Sequence, residues 1–143
     1  MTILPITLTF AAAATIINLW LGFRVSQIRT SAKVLTGDGG NPLLLARMRA
    51  HANYTEYTPF FLILVGLIEL ARGSQLWLSI LAAAFVVGRI LHAFGMDSVD
   101  KPAKGRIIGI LVTWLVLIGL AGWALVIAYL GMPTPVTADM VAG

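Results

Sequence analysis

Residues 47–61 read RMRAHANYTEYTPFF, and on a helix Arg49, Asn53 and Glu56 fall at i, i+4 and i+7, one face bordered by Tyr57. A guanidinium, an amide and a carboxylate in one stripe suit a ligand that carries both an anion and a cation. Further along, Arg89, His92 and Met96 share a face by the same spacing. If Glu56 only neutralised Arg49 or Arg89, the cluster would be a structural ion pair that pins helices together. The surplus argues for more: Arg47, Arg49, Arg89 and Arg106 stand against a single glutamate, so the region is cationic and favours an anion. His92 by itself reads as a packed, hydrogen-bonded histidine. Only His51 and His92 are available as imidazole ligands, with no thiolate and few carboxylates nearby, so no metal site is expected.

These side chains sit in a chain of 143 residues that is 59% apolar and 11% charged, with no cysteine. That is membrane composition. The missing cysteine excludes a disulfide framework, a protein thiol nucleophile and a thiolate metal site. A net charge of +4 without basic clusters interleaved with aromatics argues against nucleic acid and suits lipid headgroups or a small anionic substrate. A helix needs about 20 residues to cross the hydrocarbon core. Residues 3–23 and 107–132 pass that test, whereas 57–68 and 73–88 pass only if adjoining polar residues belong to the same helices. The expectation is therefore an all-α integral membrane four-helix bundle, one domain over residues 1–143, with helices over 3–29, 42–71, 75–96 and 105–131 and a polar tail at 132–143. Arg24, Arg29, Lys33, Arg47 and Arg49 lie by the first connection, and Arg89, Lys101, Lys104 and Arg106 flank the third. Only Arg72 lies on the opposite side, which puts both termini on the non-cytoplasmic side and the polar faces towards the cytoplasm.

Other features read plainly. TGDGGNP, residues 36–42, is a glycine-rich turn with Pro42 at a helix's first position. Gly105 and Gly109 form a GxxxG that permits close helix approach but is common by chance. Asn53-Tyr54-Thr55 matches a glycosylation acceptor inside a cytoplasmic helix end and is discarded. The first apolar segment lacks a basic leader and reads as a retained helix. Trp20, Trp77 and Tyr129 read as interface anchors. Pro59 frees the Thr55 carbonyl and is expected to kink its helix beside the polar face.

The ligand that fits has carboxylates for arginines, an ammonium for Glu56 and a group that a further cation such as Arg106 activates. Glutathione has these features, and a neighbouring guanidinium favours its thiolate, the nucleophilic form. A hydrophobic second substrate would enter from the bilayer.

RAHANYTEYTPFF resembles the helix 2 motif of the MAPEG superfamily, the membrane-associated proteins of eicosanoid and glutathione metabolism, through Arg49, Ala50, His51, Asn53, Glu56, Pro59 and Phe60. GDGG before helix 2 and RILHAFGM in helix 3 add to the resemblance, which spans nearly the whole chain. It implies a homotrimer with glutathione as co-substrate between subunits near the cytoplasmic side of a bacterial inner membrane. By that resemblance Arg49, Asn53, Glu56, Tyr57 and His92 would hold the tripeptide. Arg29 is a looser candidate for a carboxylate, and Arg89 matches the helix 3 arginine. Arg106 would stabilise the thiolate. The implied activity is a detoxifying transferase or peroxidase acting on hydrophobic electrophiles or lipid hydroperoxides, the alternative being a non-catalytic lipid-binding or scaffold member. Met96 stands where many members carry a tyrosine, which removes a hydroxyl from the pocket.

Overall fold

The computed structural model describes residues 3–101 and 103–131, so the tail at 132–143 lies outside the described residues. Within them the chain is all-helical: α1 (Pro5–Ala32), α2 (Pro42–Arg72), α3 (Leu76–Gly95) and α4 (Lys104–Leu130), each long and apolar enough to cross a membrane. This is an integral membrane protein, as the composition predicts.

The helix ends follow from local chemistry. α1 ends at Ala32, three residues beyond the expected Arg29, and closes on Lys33 in the left-handed conformation, φ 54°. Arg29 stays in the helix while its guanidinium reaches back to the Leu35 carbonyl at 3.3 Å. The glycine-rich connection is a turn: Gly37, Gly39 and Gly40 all have positive φ, a region nearly closed to residues with a Cβ. Asn41 then caps α2, its Oδ1 accepting from the Leu43 and Leu44 N–H groups at 3.0 Å each. α2 runs as one helix through Pro59.

The helices enclose a core in which Phe61 of α2 and Phe85 of α3 stack at 3.9 Å, surrounded by Val65, Ile68, Leu78 and Leu120. α3 and α4 approach more closely, through glycine. A Cβ built on Gly95 would overlap the Arg106 backbone nitrogen, and one on Gly109 would lie 2.7 Å from His92 N. Gly105 faces the Leu91 carbonyl in the same way, at 2.9 Å. The GxxxG of α4 thus has its complement in Gly88 and Gly95 of α3. Gly95→Ala is therefore expected to force two backbones apart and to destabilise the detergent-solubilised protein by about 1–3 kcal/mol, against almost nothing for Gly122→Ala, whose Cβ would meet open space. Equal melting temperatures for the two variants would disprove this account of the packing.

Polar clusters tie the bundle at both ends. At one end Glu69 of α2 is buried, 1% exposed, and accepts from Ile6 N–H at 2.9 Å, Thr7 N–H at 2.7 Å, the Thr7 hydroxyl at 2.7 Å and the Ser74 hydroxyl at 2.6 Å. A carboxylate from α2 thereby caps the start of α1, which has no side-chain cap of its own. At the other end Asp97, just past α3, pairs with Arg24 of α1 and Arg47 of α2, the latter at 3.3 Å. Arg24 also lies over the Trp20 and Phe94 rings, 4.8 and 5.3 Å from their centroids. From Ile6 to Arg24 is about 27 Å along α1 and from Arg47 to Glu69 about 33 Å along α2, at roughly 1.5 Å per residue. Both spans match a hydrocarbon core of about 30 Å.

Candidate functional site

Depth and exposure divide the polar residues into two groups. The first is consumed inside the bundle. Arg89 is 1% exposed and its Nη2 donates to Asn53 Oδ1 at 2.8 Å. Its Nη1 lies 3.4 Å from the Thr113 hydroxyl of α4, and the Tyr54 and Tyr57 rings face its guanidinium at 5.7 Å each. Tyr57 in turn accepts from the Trp114 indole N–H at 3.0 Å, which links α2 to α4. His92 is buried where α3 meets Gly109, and neither its Nδ1 nor Arg89 Nε has a hydrogen-bond partner among the described residues.

Asn53 joins the two groups. Because its Oδ1 is held by a guanidinium, its Nδ2 N–H groups remain as the donors available to a ligand.

The second group is open. Arg49, Glu56 and Arg106 are exposed, and among the described residues no ion pair or hydrogen bond engages them. Glu56 lies nine residues past Arg47, about 13 Å inside the membrane by helical rise. An ionised carboxylate facing lipid at that depth is costly, by about 2.5–3.5 kcal/mol on insertion scales. Phe60, Ile63 and Leu67 continue the same uncovered strip of α2.

Two expectations change. The surplus of arginine is smaller than the sequence implies, because Asp97 takes Arg47 together with Arg24, a residue the spacing argument did not single out. Moreover, the ion pair that pins helices is Arg24–Asp97–Arg47, and Glu56 has no part in it. Arg29 stands apart from the stripe, donating to the Leu35 carbonyl and, at 3.4 Å, to Met48 Sδ. His51 faces α1, donating from Nε2 to Asn18 Oδ1 at 2.9 Å.

Sequence reasoning missed Asp97, Glu69, Asn18 and Trp114. A signal existed for two of them: Glu69 and Asn18 are lone polar residues inside apolar runs, where such groups are rare and need partners. Among the described residues no cluster of three or more metal-ligating side chains forms.

None of the curated proteins matches the chain. A family model does match: the one described as the MAPEG family aligns with residues 7–126, a stretch that takes in α2, α3, both polar groups and most of α1 and α4. That span covers most of the sequence, and the chain belongs to the MAPEG family.

Proposed function

We propose that this protein is a membrane-bound glutathione transferase or peroxidase that works as a homotrimer in a bacterial inner membrane. Its site faces the cytoplasm, with both termini on the other side. The observation that carries the reading is Glu56: exposed, without an ion pair among the described residues, and deep in the membrane. A neighbouring subunit would cover it, and the glutathione ammonium would neutralise it. Arg49 and the free N–H groups of Asn53 would take carboxylates of the tripeptide, with Tyr57 at the edge of the stripe. Arg89 would act from behind by holding Asn53, and His92 would lie beneath the thiol end. Arg29 would contribute only after releasing Leu35.

Arg106, exposed at the start of α4, would stabilise the thiolate by charge. The thiolate sulfur then attacks an electrophilic carbon, forming a C–S bond as the leaving group departs with its electron pair. With a lipid hydroperoxide it attacks the terminal oxygen, an S–O bond forming as the O–O bond breaks; the alkoxide takes a proton, and a second glutathione thiol then converts the sulfenic acid to glutathione disulfide and water. The hydrophobic substrate arrives through the lipid.

Met96 supports a second reading, a non-catalytic lipid-binding or scaffold protein, because it puts a thioether where a tyrosine hydroxyl would help to hold the thiolate. Ultraviolet difference absorption on adding glutathione separates the two. A thiolate band that Arg106→Ala removes while calorimetric binding persists supports the enzyme, and Glu56→Ala is expected to weaken binding at least tenfold. Saturable binding without a thiolate band would overturn the enzyme, and the absence of glutathione binding is what the second reading predicts. No binding at all would sink the glutathione site.

A further inference from the structure

A groove of about 350 Å³ runs between α1 and α2, lined by Ala14, Thr15, Asn18, Thr55, Pro59 and Leu62 among others. Its depth follows from the polar clusters at the two ends. Thr15 lies nine residues from both Ile6 and Arg24, and Thr58, also on the wall, lies eleven from both Arg47 and Glu69. The groove is therefore centred on the bilayer midplane.

Its walls carry polar groups that hydrocarbon cannot satisfy. Asn18 lines the groove, its Oδ1 is taken by His51, and no described residue accepts from its Nδ2. Pro59 has no N–H, so the Thr55 carbonyl lacks its helical donor, and both residues line the groove. The Thr15, Thr55 and Thr58 hydroxyls have already donated to their own helix, to the Ala11, Ala52 and Tyr54 carbonyls at 2.9, 2.8 and 2.7 Å. What remains for an occupant is the Asn18 amide NH2 and one carbonyl acceptor, six residues from Arg24 and eight from Arg47, about 9 and 12 Å in from the charged end by helical rise. Leaving both unpaired in lipid is unfavourable, since nothing else at that depth forms hydrogen bonds.

We infer that the α1–α2 groove is a binding site for an uncharged, membrane-soluble phenol or alcohol of one or two rings, whose hydroxyl donates to the Thr55 carbonyl and accepts from the Asn18 amide. A hydroxyl does both with one atom, which a ketone, an ether or a plain hydrocarbon does not. The volume lies at the small end of the range for ligand pockets, enough for a ring system and too little for a complete lipid. Charge is excluded because no counter-ion lines the walls. Ala14, Leu62 and the Pro59 ring supply apolar contact for the ring faces. The inference does not depend on glutathione chemistry.

The test compares 1-naphthol with naphthalene, near-isosteric probes that differ by the hydroxyl, on the full chain in lipid nanodiscs with empty nanodiscs as reference. Saturable 1-naphthol binding is expected, with naphthalene about tenfold weaker. Asn18→Leu removes the donor and Pro59→Ala returns an N–H to the Thr55 carbonyl, so each is expected to lower 1-naphthol affinity about tenfold. Pro59→Ala also guards against misfolding, because it removes a helix-breaking residue and should not lower stability. Equal binding of the two probes, unchanged affinity in both variants, or no saturable binding to the folded protein would overturn the proposal. So would efficient disulfide cross-linking between copies through Thr15→Cys, clean in a chain without cysteine, since it would show the groove filled by a neighbouring subunit.

Discussion

Glu69→Ala is expected to destabilise the protein by roughly 4 kcal/mol, the largest loss from any single side chain outside the apolar core. Hydrogen bonds to a charged group contribute about 1.5–3 kcal/mol each, and Glu69 accepts four. The total falls short of the sum because the Ser74 hydroxyl is exposed and finds water once released. The Ile6 N–H is buried and does not. Glu69→Gln tests the geometry separately: its amide nitrogen must face either Ile6 N–H or Thr7 N–H, donor against donor, so an intermediate loss near 2 kcal/mol is expected. Unfolding in mixed micelles followed by circular dichroism reads both. A loss under about 1 kcal/mol for the alanine variant would show that α1 is held by its apolar face alone.

The second large effect concerns Asp97. Asp97→Leu leaves Arg24 buried with only the Ala93 carbonyl, at 3.3 Å, and the Trp20 and Phe94 rings for company. Breaking a buried pair by removing one partner typically costs about 3–5 kcal/mol, and because Asp97 is 29% exposed the expected value lies near 3. Arg47 suffers less. Its long side chain turns outward to the headgroups, a route that Arg24, 6% exposed between two rings, does not have. Hence Arg24→Met combined with Asp97→Leu is expected to recover most of the loss. If the double variant melts no higher than Asp97→Leu alone, the cluster is not the simple charge pairing described above.

The four spans were legible because charges interrupt apolar runs at regular distances, and the stripe of Arg49, Asn53 and Glu56 because helical spacing needs no partner to be seen. Pairing through space was not legible. Asp97 lies one residue beyond the last residue of the expected helix 3, so it reads as loop, yet only at that position does it reach both α1 and α2. Glu56 looked like the natural partner of Arg89, but the arginine sits on the buried side of α2 where Asn53 faces it. Gly88 and Gly95 are seven apart and form no recognised motif alone. Their meaning appears only once α4 is set in register against them, with Gly109 opposite Gly88 and Gly105 near Gly95.

The capping of α1 by Glu69 also sets an order of events during biogenesis. A chain is made from its N-terminus, so Ile6 and Thr7 emerge some sixty residues before the carboxylate that receives them. Until α2 has crossed back and delivered Glu69, the first helix enters the bilayer with its leading N–H groups unmet. Its side-chain cap at that end therefore arrives only with α2. The second helix, on arrival, settles the first, and α1 and α2 become a finished hairpin at one moment rather than in sequence.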